Sequence, residues 1–281
     1  MSEIGSTPEE VVDKLQQNVD SNSYRESNLN TVAERLEGER YDEFLEEAKN
    51  ACDNVANNLS ELEFNQDDNI LIIVSGKSSA IAENIWQPVA ERLPNDNPIK
   101  TRGKVMKLGD MENAALYGKY DEESAKYEQQ QELMGAGYSY LLEMAMEQGL
   151  IEQSDKKPKI ILFEEYSNTE SKSLNGVSNL RKNGYESYAV VLSGMSEADR
   201  DYFRQSQDIQ LPEDADEINK YLFVGSRDSK LHNVMYRLAS ARSSHAEDVI
   251  NDSTQINPSD RAKRQASRDL VRKISADLAV D

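Results

Sequence analysis

Apolar positions along this chain come in two patterns. Some form short uninterrupted runs, and others form stripes spaced three and four residues apart. The run that organises the rest is Ile70-Leu71-Ile72-Ile73-Val74. It breaks into Ser75-Gly76-Lys77-Ser78-Ser79, after which Ile81, Ala82, Ile85 and Trp86 recur at helical spacing. That order predicts a buried strand, a tight turn and a helix reaching Leu93. The pattern then repeats. Ile160–Phe163 is a second buried strand, followed by a helix over Lys172–Asn183 with Leu174, Val177 and Leu180 inward. Tyr188–Leu192 is a third strand, followed by a helix over Ser196–Gln205. Shorter strands are expected at Lys104–Leu108, Asp208–Pro212 and Tyr221–Val224.

Three amphipathic helical stretches precede the first strand. The first starts at Ser6-Thr7-Pro8-Glu9-Glu10, the second spans Leu29–Leu36, and the third, Tyr41–Leu62, carries Phe44, Leu45, Ala48, Cys52, Val55, Ala56 and Leu59 on one face. Helices are also expected over Met134–Met146, Ser229–Ile250 and Pro258–Val280. Alternating strands and helices specify an α/β fold: a parallel sheet with helices on both faces, a Rossmann-type three-layer sandwich. The chain divides into a helical region over 1–64, an α/β domain over 65–250 and a C-terminal helix over 251–281. A polar insertion near 100–150 interrupts the α/β domain and has the length of a lid or partner surface.

Composition narrows the function classes. The 281 residues carry a formal net charge of −20, with 37% hydrophobic and 30% charged side chains. Such a surface repels nucleic-acid phosphates and anionic membranes, so neither is an expected partner. Ordinary solubility and a salt-rich cytoplasm both account for the acidity. The basic run at Arg261, Lys263, Arg264, Arg268, Arg272 and Lys273 is interleaved with Asp260, Asp269 and Asp277, as on a solvated helix face. No apolar run has the length of a membrane helix and the N-terminus has no signal-peptide core, so a cytoplasmic protein is expected. The single cysteine, Cys52, excludes an internal disulfide and reads as a small core residue.

Ligands of parallel sheets bind beyond the carboxyl ends of the strands. Two polar loops fall there, Ser75–Ser79 and Glu164–Ser171; both carry hydroxyls and both open helices, whose N-termini favour anions. Gly76-Lys77-Ser78 matches the end of a nucleotide-binding P-loop, but Leu71 stands where the first glycine of that motif belongs.

The segment Gly76-Lys77-Ser78-Ser79-Ala80-Ile81-Ala82 after an apolar strand resembles the first phosphosugar loop of sugar isomerase (SIS) domains. Ser167, Asn168, Thr169 and Glu170 resemble part of that family's second loop. The resemblance implies a phosphosugar-binding protein, a sugar phosphate held by Ser75, Gly76, Lys77, Ser78, Ser79, Ser167 and Thr169, and a homo-oligomer. An active member would interconvert aldose and ketose phosphates, with Glu170 and His245 moving protons and with no cofactor or metal. Otherwise, His232 and His245 read as surface or cap residues. The second loop departs from the family in lacking a glycine between its hydroxyl residues and in placing Glu164 or Glu165 at a serine position.

A second resemblance competes. Ile160–Glu165 followed by Thr169 is similar to the ribose-phosphate loop of phosphoribosyltransferases, in which two acids contact the ribose hydroxyls. That family implies Mg²⁺ dependence and a role for Glu164 and Glu165; Glu170 stands where its turn glycine would be. A non-catalytic scaffold that keeps the fold without the chemistry is the third reading.

Overall fold

A computed structural model describes residues 39–74, 79–108, 141–151, 156–206, 209–243 and 269–279. Five parallel strands form its sheet: β1 (Ile70–Val74), β2 (Lys104–Lys107), β3 (Lys159–Ser167), β4 (Ser187–Gly194) and β5 (Leu222–Ser226). Their spatial order is β2-β1-β3-β4-β5. Every residue of β1 and β4 is buried, as expected of strands covered on both faces.

In chain order the helices are α1 (Glu39–Ser60), α2 (Ser79–Arg92), α3 (Pro98–Arg102), α4 (141–147), α5 (Ser171–Lys182), α6 (Glu197–Ser206), α7 (Ala215–Ile218), α8 (Ser229–Ser243) and α9 (269–278). Alternation along the strands separates two cores. Ile70, Ile72, Val74, Ile161, Phe163, Val190 and Leu192 face α1, α2, α8 and α9. Leu71, Ile73, Ile160, Leu162 and Ala189 face α4, α5 and α7. The chain moves outward from β1 to β2, then reverses to β3, β4 and β5. Right-handed crossovers therefore put α2 on one face and α4, α5 and α7 on the other. The α/β fold with helices on both faces is thus borne out.

α1 lies across the sheet on the stripe read from its sequence: Phe44, Ala48, Cys52, Val55, Ala56 and Leu59 are all buried. Burial pushes the Cys52 thiol up to about 12, which leaves it inert at neutral pH. The Tyr41 hydroxyl donates to Asp277 Oδ2 at 2.6 Å and ties α1 to α9.

Three expectations need correction. The strand expected at Asp208–Pro212 does not form: residues 209–212 belong to no helix or strand. Pro212 has no N–H for a ladder, and its carbonyl instead accepts the Ala215 N–H in the turn into α7. No helix is expected between Leu93 and Lys104, yet α3 forms there, and Asn97 caps it by accepting the Ile99 N–H at 2.8 Å. β3 does not stop at Phe163 but runs on through Glu164, Glu165 and Tyr166 to Ser167. β4 is long enough to pair with it there, Tyr166 opposite Ser193 and Ser167 opposite Gly194. The expected helices before residue 38, and most of the 110–149 insertion, lie outside the described residues. No helix among the described residues is long and apolar enough to cross a membrane.

Candidate functional site

The order of the parallel strands reverses between β1 and β3, and doubly wound sheets bind ligands at such a switch point. Val74, the last residue of β1, lies opposite Phe163. The carboxyl end of β1 thus lies beside Phe163, and β3 continues past it through the acid pair to Ser167. Ser75, Gly76, Lys77 and Ser78 lie outside the described residues, as does His245; Ser79 begins α2.

Ser167, Thr169 and Glu170 do come together, in the turn from β3 into α5. The Glu170 N–H donates to Ser167 Oγ at 3.0 Å, and the Ser171 N–H points at Thr169 Oγ1 at 3.4 Å. The Thr169 and Ser171 hydroxyls are hydrogen-bonded to each other at 2.9 Å. Glu170 has φ 58° and ψ 0°, the one non-glycine residue at positive φ among the described residues. That left-handed conformation turns the chain from the strand into the helix and costs a non-glycine residue about 1 kcal/mol or more.

The Glu170 side chain is buried and faces three arginines. Arg227 donates to its Oε1, Arg200 donates to its Oε2 at 3.1 Å, and Arg204 stands 3.6 Å from Oε2. Arg204 also donates through Nε to the Thr169 carbonyl at 2.8 Å, and Arg227 to the Met195 carbonyl at 3.0 Å. The turn is thereby fastened from below by helix α6 and the end of β5. A carboxylate so committed positions the turn; it is poorly placed to take a proton from a sugar carbon.

The acid pair lies within the last part of β3. Glu164 is 4% exposed and lies 3.9 Å from Lys172 Nζ, while Glu165 is fully buried. Burial, with Glu165 as the nearest charge, raises the pKa of the neighbouring Tyr166 hydroxyl.

His232, read from the sequence as a surface or cap residue, is instead 5% exposed. One ring nitrogen lies 3.3 Å from the Ser193 carbonyl and the other 3.0 Å from Asn168 Oδ1, so the ring spans from α8 to the β3 turn. Its ring packs edge-on against Tyr166. Sequence pattern had one signal for this burial: His232 lies next to Leu231 and two and three positions before Val234 and Met235, all buried. Arg200 and Arg204 were missed altogether. Their four-residue spacing on an otherwise polar helix was the available signal, but it becomes meaningful only once Glu170 is known to face them.

Among the described residues no group of His, Cys, Asp or Glu side chains has the arrangement of a metal site. No protein-family model, curated protein or solved structure matches the chain.

Proposed function

We propose that this protein binds a phosphorylated pentose of the phosphoribosyl type at the β3–α5 turn. The observation that carries this reading is the left-handed backbone at Glu170. It gives the turn the shape that a glycine gives the ribose-phosphate loop in the resembling family, directly before a helix N-terminus that favours phosphate. Thr169, Ser171 and the first N–H groups of α5 would receive the phosphate. Glu164 and Glu165, at the end of β3, would face the ribose hydroxyls, with Mg²⁺ supplying charge to the diphosphate of an activated ribose.

The sugar isomerase reading keeps the same phosphate seat, with Ser75–Ser79 opposite. It is less favoured, because the ion pairs of Glu170 leave the proton transfer without its proposed base.

Thermal shift distinguishes the readings. A ligand at a hundredfold excess over its Kd adds about 2.7 kcal/mol to stability. Phosphoribosyl pyrophosphate with Mg²⁺ and ribose 5-phosphate should both raise Tm, and Glu165→Gln should remove the Mg²⁺-dependent part. A larger rise with fructose 6-phosphate would replace this reading by the isomerase one. No response to any sugar phosphate would leave the scaffold reading.

A further inference from the structure

A polar cleft of about 320 Å³ opens beside the edge strand β5. Leu174, Leu222 and Val224 form its apolar part, and Arg200, Arg204 and Arg227 line its polar wall. These side chains are only 15%, 17% and 29% exposed, so their charges are poorly screened by water.

Three guanidinium groups here share one buried carboxylate, Glu170, and the exposed Asp201. The pairing is uneven. Arg200 has hydrogen bonds to both acids, from Nε to Asp201 at 3.0 Å and from a terminal nitrogen to Glu170 at 3.1 Å. Arg204 uses Nε on the Thr169 carbonyl, and its terminal nitrogens make no hydrogen bond: Glu170 lies at 3.6 Å and Asp201 at 3.8 Å. Burial, then repulsion from Arg200 and Arg227, pulls the Arg204 pKa below its ordinary value despite the two acids. A half-enclosed fork with idle donors suits a planar or tetrahedral oxyanion.

We propose that this cleft is a binding site for a small oxyanion, a phosphate monoester or a carboxylate, gripped by the terminal nitrogens of Arg204 and Arg227. Glu197 and Asp216 line the same cleft and are exposed. They oppose any extended polyanion and leave room for a compact one. The donors lie on α6 and after β5, but Arg204 and Arg227 also hold the β3 turn through Glu170 and the Thr169 carbonyl, so the position of the bound anion is what separates this site from the pentose-phosphate one.

The test combines a map with titrations. Crystals of the full chain soaked in selenate should show anomalous density within hydrogen-bond distance of Arg204 and Arg227. Calorimetric titration with inorganic phosphate and with malonate separates the two ligand sources. Whichever binds should weaken about tenfold or more in Arg204→Gln and less in Arg204→Lys, which keeps the charge and loses the fork. Wild-type protein that binds neither anion in the cleft overturns the proposal. So does unchanged affinity in a folded Arg204→Gln variant, checked by circular dichroism. Selenate found only at the β3–α5 turn would support the pentose-phosphate reading and sink this one. Should Arg204→Gln fail to fold, the wild-type selenate map decides alone.

Discussion

Glu170 and Arg227, 57 positions apart, form an ion pair across Gly194. A Cβ at residue 194 would stand 3.1 Å from the Glu170 carboxylate and 3.2 Å from the Arg227 guanidinium, too close for either to keep its place comfortably. The last residue of β4 is therefore the gap through which the β3 turn is tied to the end of β5. Three consecutive strand ends are fixed to one another by this contact.

Glu170→Gln keeps the shape of the side chain but leaves three guanidiniums without their shared anion. Breaking a buried pair by removing one partner costs about 3–5 kcal/mol. The partial exposure of the arginines lowers the expectation here to about 2–4 kcal/mol, read from urea unfolding. Glu170→Gly loses the same ion pairs but relieves the left-handed backbone, so it should be about 1 kcal/mol more stable than Glu170→Ala. A glycine variant as stable as the native protein would mean that the ion pairs contribute no more than the roughly 1 kcal/mol that the relieved backbone returns.

α1 packs closely on β5 at Gly225. A Cβ there would lie 2.7 Å from the Ala51 carbonyl oxygen, 2.7 Å from that of Leu192 and 3.0 Å from Val55. Two of these atoms are backbone and cannot rotate away. Asn54 adds a bond to the Gly225 carbonyl at 3.0 Å, which the same shift would stretch. Gly225→Ala should cost about 1–3 kcal/mol by overpacking, seen as a lower urea midpoint. An unchanged midpoint would show that α1 can lift from β5 without loss.

The fold was legible because its signals are local. Ile70–Val74 and Tyr188–Leu192 are apolar without interruption, as strands buried on both faces must be, and the stripe of α1 needs only its own sequence. The end of β3 was illegible for the opposite reason. Glu164, Glu165 and Tyr166 look like loop, and only the matching length of β4 makes them strand. The site was legible in part. Hydroxyls before a helix marked the turn at Ser167–Ser171, but the partners of Glu170 come from residues 30 to 57 positions away. No periodicity carries such a pairing. Asp208–Pro212 erred the other way: its apolar residues alternate as in a strand, but Pro212 has no N–H for a ladder and its carbonyl is taken by the turn into α7.

His232 should be neutral at pH 7. Burial lowers its pKa, and the Ser193 carbonyl only partly opposes that. A neutral imidazole has one N–H, which the Ser193 carbonyl can only accept. The other ring nitrogen then accepts, and the Asn168 amide satisfies it by presenting its NH₂ group. The folded pKa lies below the unfolded one, so the unfolded chain binds the proton first. This contribution to stability is present above about pH 6.5 and is lost as pH falls toward the folded value. An NMR titration of the ring should place its midpoint below 6.5, and His232→Phe should flatten the stability profile in that window. A midpoint above 6.5 would instead make His232 a cation that donates to both neighbours.

Asp68 governs a lower window, at the opposite edge of the sheet. It is 1% exposed, accepts the Asn65 N–H at 2.8 Å and pairs with Lys156 and, at 3.1 Å, with Lys159. Burial alone would raise its pKa, but these partners outweigh it and hold the carboxyl at about 2. The Lys159 N–H donates to the Asn69 carbonyl, so the cluster joins the start of β3 to the start of β1. The folded pKa is depressed, so the contribution is complete above about pH 4 and disappears as pH falls through about 2. With Lys156 half exposed, we expect its size to be of order 1–2 kcal/mol. Asp68→Asn should lower stability at pH 7 by about that amount and shrink the difference from the native protein below pH 3. Acid unfolding curves that stay parallel for the two proteins down to pH 2 would assign the acid sensitivity of the fold to other carboxylates.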